Sequence, residues 1–294
     1  MCNLYENAVE ELEKRYRELH ESEKRPPNSW VVTDKDGNEK YVRSAIPFVG
    51  KEYFSNSNGV KVLLYASAEN LCGYEDGIED LAEEYRVQRC RQSFDKSVAA
   101  GDFFPSVHIQ PINDGGLLVV AYQILKKVMG DSFEAVYGNM TPTEFLEHIC
   151  CSNYGKFTLH KGDGKTNYDY AGDKQVLSFC HDYIRADIEI LKPDIIIMPK
   201  SMYYKAKQKN EFFSEYHGMI IFPIHQINAG VVHRTIHGNV SKDKSMKIPR
   251  YQEIDWNTLT SNEKLWHEKI KAINKDCFKS VYTYVNSVEP DTLR

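Results

Sequence analysis

The stretch that most constrains this chain is Val60-Lys61-Val62-Leu63-Leu64-Tyr65-Ala66-Ser67-Ala68-Glu69-Asn70. Val60, Val62, Leu63, Leu64 and Tyr65 form a short apolar run rich in β-branched and aromatic side chains. That is the pattern of a strand covered on both faces, as inside a parallel sheet. Small residues follow, and then an acid and an amide. Ligands of open α/β sheets lie just beyond the carboxyl ends of the strands, which places Glu69 and Asn70 where chemistry is done. Taken alone, Glu69 better suits the first turn of a helix, where an acid is favoured.

Asp194-Ile195-Ile196-Ile197-Met198 and Met219-Ile220-Ile221-Phe222 repeat the pattern of a buried strand, and Ile149 to Lys156 reads as a shorter one. Between them lie helical signals. Leu117 to Val128 is apolar with Gly130 just past it, Thr141-Pro142-Thr143-Glu144 opens a second helix, and Val176 to Leu191 puts Phe179, Tyr183, Ile184, Ile188 and Leu191 on one face. Further helices are expected over Ile78–Val87, from Lys200 through Lys209, from Ser261 to about Lys275, and on to Val285. At the amino end, Leu4, Ala8, Leu12, Tyr16 and Leu19 recur at helical spacing. Trp30–Thr33 and Tyr41–Val42 flank an Asp-Gly turn and read as a hairpin. Ser93–Gly116 and His160–Lys174 read as long polar loops, a length that tends to carry function.

Alternating strands and helices predict an α/β fold, a three-layer α/β/α sandwich with a central mostly parallel sheet. The expected organisation is an amino-terminal helix and hairpin over 1–57, an α/β domain over 58–240, and a carboxy-terminal helical extension over 241–294 packed on the same domain. Strand ends then deliver Glu69/Asn70, Asn153/Lys156 and His225/Asn228 to one rim.

Composition narrows the class. A chain of 294 residues with 41% hydrophobic content supports one large domain or two small ones. Mean hydropathy is −0.53 and no apolar run reaches bilayer length. The start, Met1-Cys2-Asn3-Leu4-Tyr5-Glu6, lacks the order of a signal peptide, so a soluble, cytoplasmic protein is expected. Seven cysteines without a Cys-x-x-Cys argue against a zinc ribbon or an iron–sulfur cluster and suit a reducing compartment. His233 and His237 have helical spacing, but Arg234, Thr235, Ile236 and Gly238 do not favour a helix there, and Asp34–Ala45 lacks the glycine and glutamate positions of a calcium loop. No metal, cofactor, membrane or protein partner is expected. Residues 1–150 hold 16 Lys+Arg against 25 Asp+Glu, and residues 151–294 hold 21 against 17, balances of −9 and +4. The second half therefore permits a polyanion partner, because electrostatic contact is local.

This order of parts resembles the uracil-DNA glycosylase superfamily: a strand ending in an acidic loop, a strand ending in Asn, a helix running through Leu191-Lys192-Pro193-Asp194 into a strand, and a last strand ending near His. The resemblance covers about residues 58–240. It implies hydrolysis of an N-glycosidic bond in DNA after base flipping, with Glu69, Asn70 and His225 as catalytic residues. Glu69 would stabilise the oxocarbenium-like sugar or activate water, and His225 would donate to the carbonyl oxygen of the leaving base. Asn153 would read the base, with Phe103, Phe104 and Asn228 around it, and Lys156, Lys200, Lys205 and Arg234 would hold phosphates. The chain departs from the family in two places. No Gly or Pro flanks Glu69, and Gln226 follows His225 where the family usually has proline. These departures direct the expectation from uracil repair toward a bulky modified base, as in antiviral defence. A non-catalytic nucleotide- or nucleic-acid-binding module on the same scaffold is the alternative.

Overall fold

The computed structural model describes residues 4–22, 24–33, 36–41, 43–44, 46–55, 59–68, 116–140, 142–161, 174–210, 212–224, 260–261, 264 and 289–292. The helix expected over Ile78–Val87, the loop over Ser93–Gly115, most of the loop after His160 and most of the carboxy-terminal helices lie outside these residues.

A six-stranded sheet organises the described part. Its strands are β3 (Phe48–Val49), β4 (Val62–Ala68), β5 (Cys150–Gly155), β6 (Ile195–Pro199), β7 (Ile220–Ile224) and β8 (Asp291–Thr292), in the spatial order β3-β5-β4-β6-β7-β8. The four central strands run parallel, and the two short edge strands are antiparallel to their neighbours. The three strongest apolar runs of the sequence are thus side by side in one sheet, as their two-sided hydrophobicity requires. β1 (Val31–Thr33) and β2 (Glu39–Tyr41) form the expected hairpin, with Gly37 at φ +80° in its turn.

Side chains on the strands alternate between two cores. Val62, Leu64 and Ala66 of β4 pack with Ile195 and Ile197 of β6 and with Phe222 and Ile224 of β7. The same cluster takes Val120, Ala121, Tyr122, Ile124 and Leu125 of α2 (Gly116–Met129), Phe133 of α3 (Ser132–Val136), and Phe145 and Leu146 of α4 (Pro142–Leu146). Leu63, Tyr65, Ile196 and Met198 belong to the other cluster. It is completed by Leu12 and Tyr16 of α1 (Leu4–Glu21), Tyr183, Ile184 and Leu191 of α5 (Lys174–Leu191), and Met202 and Tyr203 of α6 (Lys200–Asn210). The expected apolar face of α1 is buried at Ala8, Leu12 and Tyr16, whereas Leu4, its first residue, is 58% exposed. No helix among the described residues is long and apolar enough to cross a membrane.

The Leu-Lys-Pro-Asp junction has a structural task. Lys192 closes α5 with its amide on Ile188 (2.9 Å), in the left-handed region at φ +48°, and Pro193 prevents the helix from continuing. The Asp194 carboxylate then accepts the amide of Lys61 (2.8 Å), while its own amide donates to the Lys61 carbonyl (2.9 Å). The starts of β4 and β6 are thereby stapled in register. The left-handed conformation costs a non-glycine residue about 1–2 kcal/mol, and glycine costs about 0.5–1 kcal/mol in chain entropy. Lys192 is solvent-exposed, so Lys192→Gly is expected to raise stability by about 0.5–1 kcal/mol. Chemical denaturation measures this directly, and a lower midpoint would show that the turn is unstrained.

Deep in the second core lies an ion pair without any solvent exposure, Lys156 Nζ to Asp187 Oδ2 at 2.7 Å. Lys156 also donates to Tyr16 Oη and Ser152 Oγ, each at 2.7 Å. Asp187 further accepts Tyr16 Oη at 2.6 Å and Tyr65 Oη at 2.8 Å. All three ammonium protons have a partner, and both carboxylate oxygens are used. Burial, reinforced by the Asp187 charge, holds the Tyr65 hydroxyl well above its ordinary pKa, so it stays a donor. Removing one member of such a pair strands a charge, at about 3–5 kcal/mol, whereas an apolar replacement of both is often neutral. Lys156→Met is therefore expected to lose about 3–5 kcal/mol in urea unfolding, and Lys156→Met with Asp187→Leu to recover most of it. Additive losses would rule out the coupling.

Candidate functional site

Numbered in chain order, the four parallel strands lie second, first, third, fourth across the sheet. The chain leaves β4 toward one side for β5 and later returns to the other side for β6. Such a reversal is a topological switch point, where open α/β sheets bind ligands at the carboxyl ends of the strands. The register sharpens this. Pairing between β4 and β6 runs Val62↔Ile195, Leu63↔Ile196, Leu64↔Ile197 and stops. Yet β4 stays paired with β5 to Ala68↔Gly155, and β6 with β7 to Pro199↔Ile224. Beyond Leu64 and Ile197 the sheet therefore divides into two strand pairs at its carboxyl rim.

Asn153 sits in that region. It pairs with Ala66, and it lies two residues beyond Cys151, on the same face of β5. The side chain is 3% exposed, and its Oδ1 has no hydrogen-bond partner among the described residues. A buried amide oxygen without a donor costs about 1–3 kcal/mol, so native proteins keep few of them. The neighbouring thiol Cys151 is no alternative nucleophile, because burial pushes its pKa up and favours the unreactive thiol. The same holds for Cys150 on the opposite face.

The other expected site residues divide into two groups. Ala68 and Ile224 end β4 and β7 at the rim; Glu69 and Asn70 directly follow the first in sequence, and His225 the second. Those three residues, and Phe103, Phe104, Asn228 and Arg234, lie outside the described residues. Lys200, the first residue of α6, stands exposed at the carboxyl end of β6, and Lys205 is half-buried one turn on. Lys156 is a correction. Expected at a phosphate, it has no exposed surface and is committed to Asp187, Tyr16 and Ser152. A cation enclosed in this way does not reach a phosphate.

The reason is visible one helix away. Asp187 falls between Tyr183 and Leu191, among Ile184 and Ile188, on the apolar face of α5. An acid at that helical phase is buried, and a buried acid requires a cation. That signal in the sequence could have removed Lys156 from the rim. Among the described residues, no three His, Cys, Asp or Glu side chains cluster as metal ligands.

Compared with models of protein families and with curated proteins, the chain matches none. The geometry of the rim must therefore carry the functional reading.

A test separates a ligand-binding from a structural Asn153. Valine suits a strand, fills much of the same volume and removes the unpaired carbonyl. Asn153→Val is expected to leave stability unchanged or to raise it by up to about 1 kcal/mol, since the desolvation penalty disappears. A loss of several kcal/mol in urea unfolding would mean that the amide is a satisfied structural group.

Proposed function

We propose that this protein is a DNA glycosylase, a three-layer α/β/α enzyme that hydrolyses the N-glycosidic bond of a modified base and leaves an abasic site. The observation that supports this reading is the buried Oδ1 of Asn153, unpaired among the described residues, at the divided carboxyl rim. Base flipping brings the hydrogen-bonding edge of a nucleobase into a pocket, and an amide offers that edge both an acceptor and donors. The base would supply the partner that Asn153 lacks among the described residues.

The remaining roles follow from the order of the chain. Glu69 enters directly after β4 and would stabilise positive charge on the sugar or orient water, beside Asn70. His225 enters directly after β7 and would donate to the oxygen on which the departing base gathers negative charge. Phe103, Phe104 and Asn228 would enclose the base, and Lys200, Lys205 and Arg234 would engage phosphates. A bulky base of the kind phage genomes carry fits the departures around Glu69 and His225 better than uracil does, which makes antiviral defence the preferred setting over uracil repair. Buried free thiols at Cys150, Cys151 and Cys180 suit a reducing cytoplasm.

A second reading, nucleotide binding without catalysis, rests on the switch point, because mononucleotide-binding sheets place their ligands there too. The two readings part on one measurement. Single-turnover excision on DNAs carrying uracil and several enlarged pyrimidines should release a base and leave an alkali-labile site. Glu69→Gln retains size and most hydrogen bonds but removes the charge, so the rate should fall by about 10²–10⁴ with DNA affinity nearly unchanged. A wild-type rate in Glu69→Gln would exclude the mechanism. Tight nucleotide binding with no excision on any substrate would favour the second reading.

A further inference from the structure

Helix α6 leaves the carboxyl end of β6 and has two unlike sides. Met202, Tyr203 and Ala206 face inward, at 0%, 0% and 2% exposure, and Tyr203 Oη donates to Asp291 at 2.5 Å. Lys200, Ser201 and Tyr204 face outward. Tyr204 is 40% exposed, one of few large apolar side chains so displayed among the described residues, and the Lys200 ammonium lies 5.7 Å from its ring centroid. The helix sequence, Lys-Ser-Met-Tyr-Tyr-Lys-Ala-Lys-Gln-Lys-Asn, holds four lysines and no acid, in a chain whose net charge is −5.

An exposed aromatic ring flanked by cations, with local charge opposed to that of the whole chain, is complementary to a polyanion that carries planar rings. Lys200 and Lys205 lie about 7.5 Å apart along the helix axis at 1.5 Å per residue. At about 100° per residue Lys205 lies about 140° around the helix from Lys200, so the two lysines border the outer face on opposite sides with Tyr204 between them. Stacking on an exposed ring requires a base whose face is open, which a paired and stacked duplex does not offer.

We propose that the outer face of α6 is a single-strand nucleic-acid platform, on which Tyr204 stacks a nucleobase while Lys200 and Lys205 neutralise the phosphates beside it. In the glycosylase reading, on which this inference builds, the platform holds the DNA strand that flanks the flipped nucleotide, on the side of the sheet opposite to the one Asn153 faces. The substrate is then single-stranded or locally opened DNA.

The test is fluorescence anisotropy with a labelled oligothymidylate, the same oligomer with abasic sites in place of the bases, and a hairpin duplex. Tyr204→Ala is expected to weaken binding of the oligothymidylate about tenfold, the range for one base stacked on an aromatic ring. Tyr204→Phe should retain it, and binding of the abasic oligomer should not respond to either change. Lys200→Ala should reduce the slope of log affinity against log salt by about 0.7 on the single strand. Because Tyr204 and Lys200 are exposed, the thermal midpoint of each variant should match the parent, which guards against misfolding. Equal affinity for the abasic oligomer, or no loss in Tyr204→Ala, would overturn the platform and leave only a general polyanion surface. Preference for the duplex would overturn it as well. The excision assay reports separately: base release that is indifferent to Tyr204→Ala rejects the platform alone, whereas single-strand binding through Tyr204 without any base release rejects the glycosylase alone.

Discussion

The enclosed Lys156–Asp187 pair is the constraint around which the second core is assembled. Transfer of two charges out of water costs several kcal/mol per ion, and attraction within the pair offsets that cost only if every remaining lone pair and proton is matched. Here the matching groups come from four elements: Tyr16 from α1, Tyr65 from β4, Ser152 from β5 and Asp187 from α5. Their positions are coupled, because a slipped strand or a rotated helix would remove a partner and leave a charge bare. Apolar packing alone tolerates small shifts; a fully used ammonium does not. The edge contact between the Tyr16 and Tyr183 rings, 4.9 Å between centroids, continues this anchoring from α1 to α5.

The network bears on the rim because it grips β5 from one side, while the other side of the strand faces the first core. Ser152 and Asn153 are adjacent, so the strand's alternation sends one toward Lys156 and the other toward the first core. With Ser152 and Lys156 held, the backbone that carries Asn153 has little freedom. That rigidity is what a recognition amide needs, since a group ordered before the ligand arrives loses less entropy on binding. The Oδ1, without a partner among the described residues, is then held on a well-anchored scaffold.

Much of this fold is legible in the sequence, for physical reasons that differ by element. Val62–Tyr65, Ile195–Met198 and Ile220–Phe222 are apolar at every position, which leaves a parallel interior as their only good environment. α1, α2 and α5 declare themselves by period, and Gly130, at φ +54°, marks the end of α2. The edge strands were not foreseen. Phe48–Val49 and Asp291–Thr292 are two residues each, too short for any period, and they are strands only because a neighbour in the sheet offers hydrogen bonds. Asn153 was foreseen at a strand end, but its paired companion Ala66 and the parting of β4 from β6 depend on register, which single-strand patterns do not contain. Lys156 misleads because a lysine near a strand end reads as exposed unless its acid, 31 residues away, is seen to be buried with it.

The two fates of lysine in this chain show how charge should be counted. The balance of +4 in residues 151–294 is a formal sum in which Lys156 and Asp187 cancel inside the protein, where neither contributes a field to solvent. Arg185 is likewise engaged at the surface, by Asp182 at 2.8 Å and Glu215 at 3.3 Å. Lys200 is exposed beside an aromatic ring instead. A polyanion senses charges that are accessible and unopposed within about one Debye length, about 8 Å at physiological salt. Among the described residues of this half, Lys200 and Lys205 place such charge on α6, where the chain leaves β6. A protein that is acidic overall can thus present accessible positive charge at one edge.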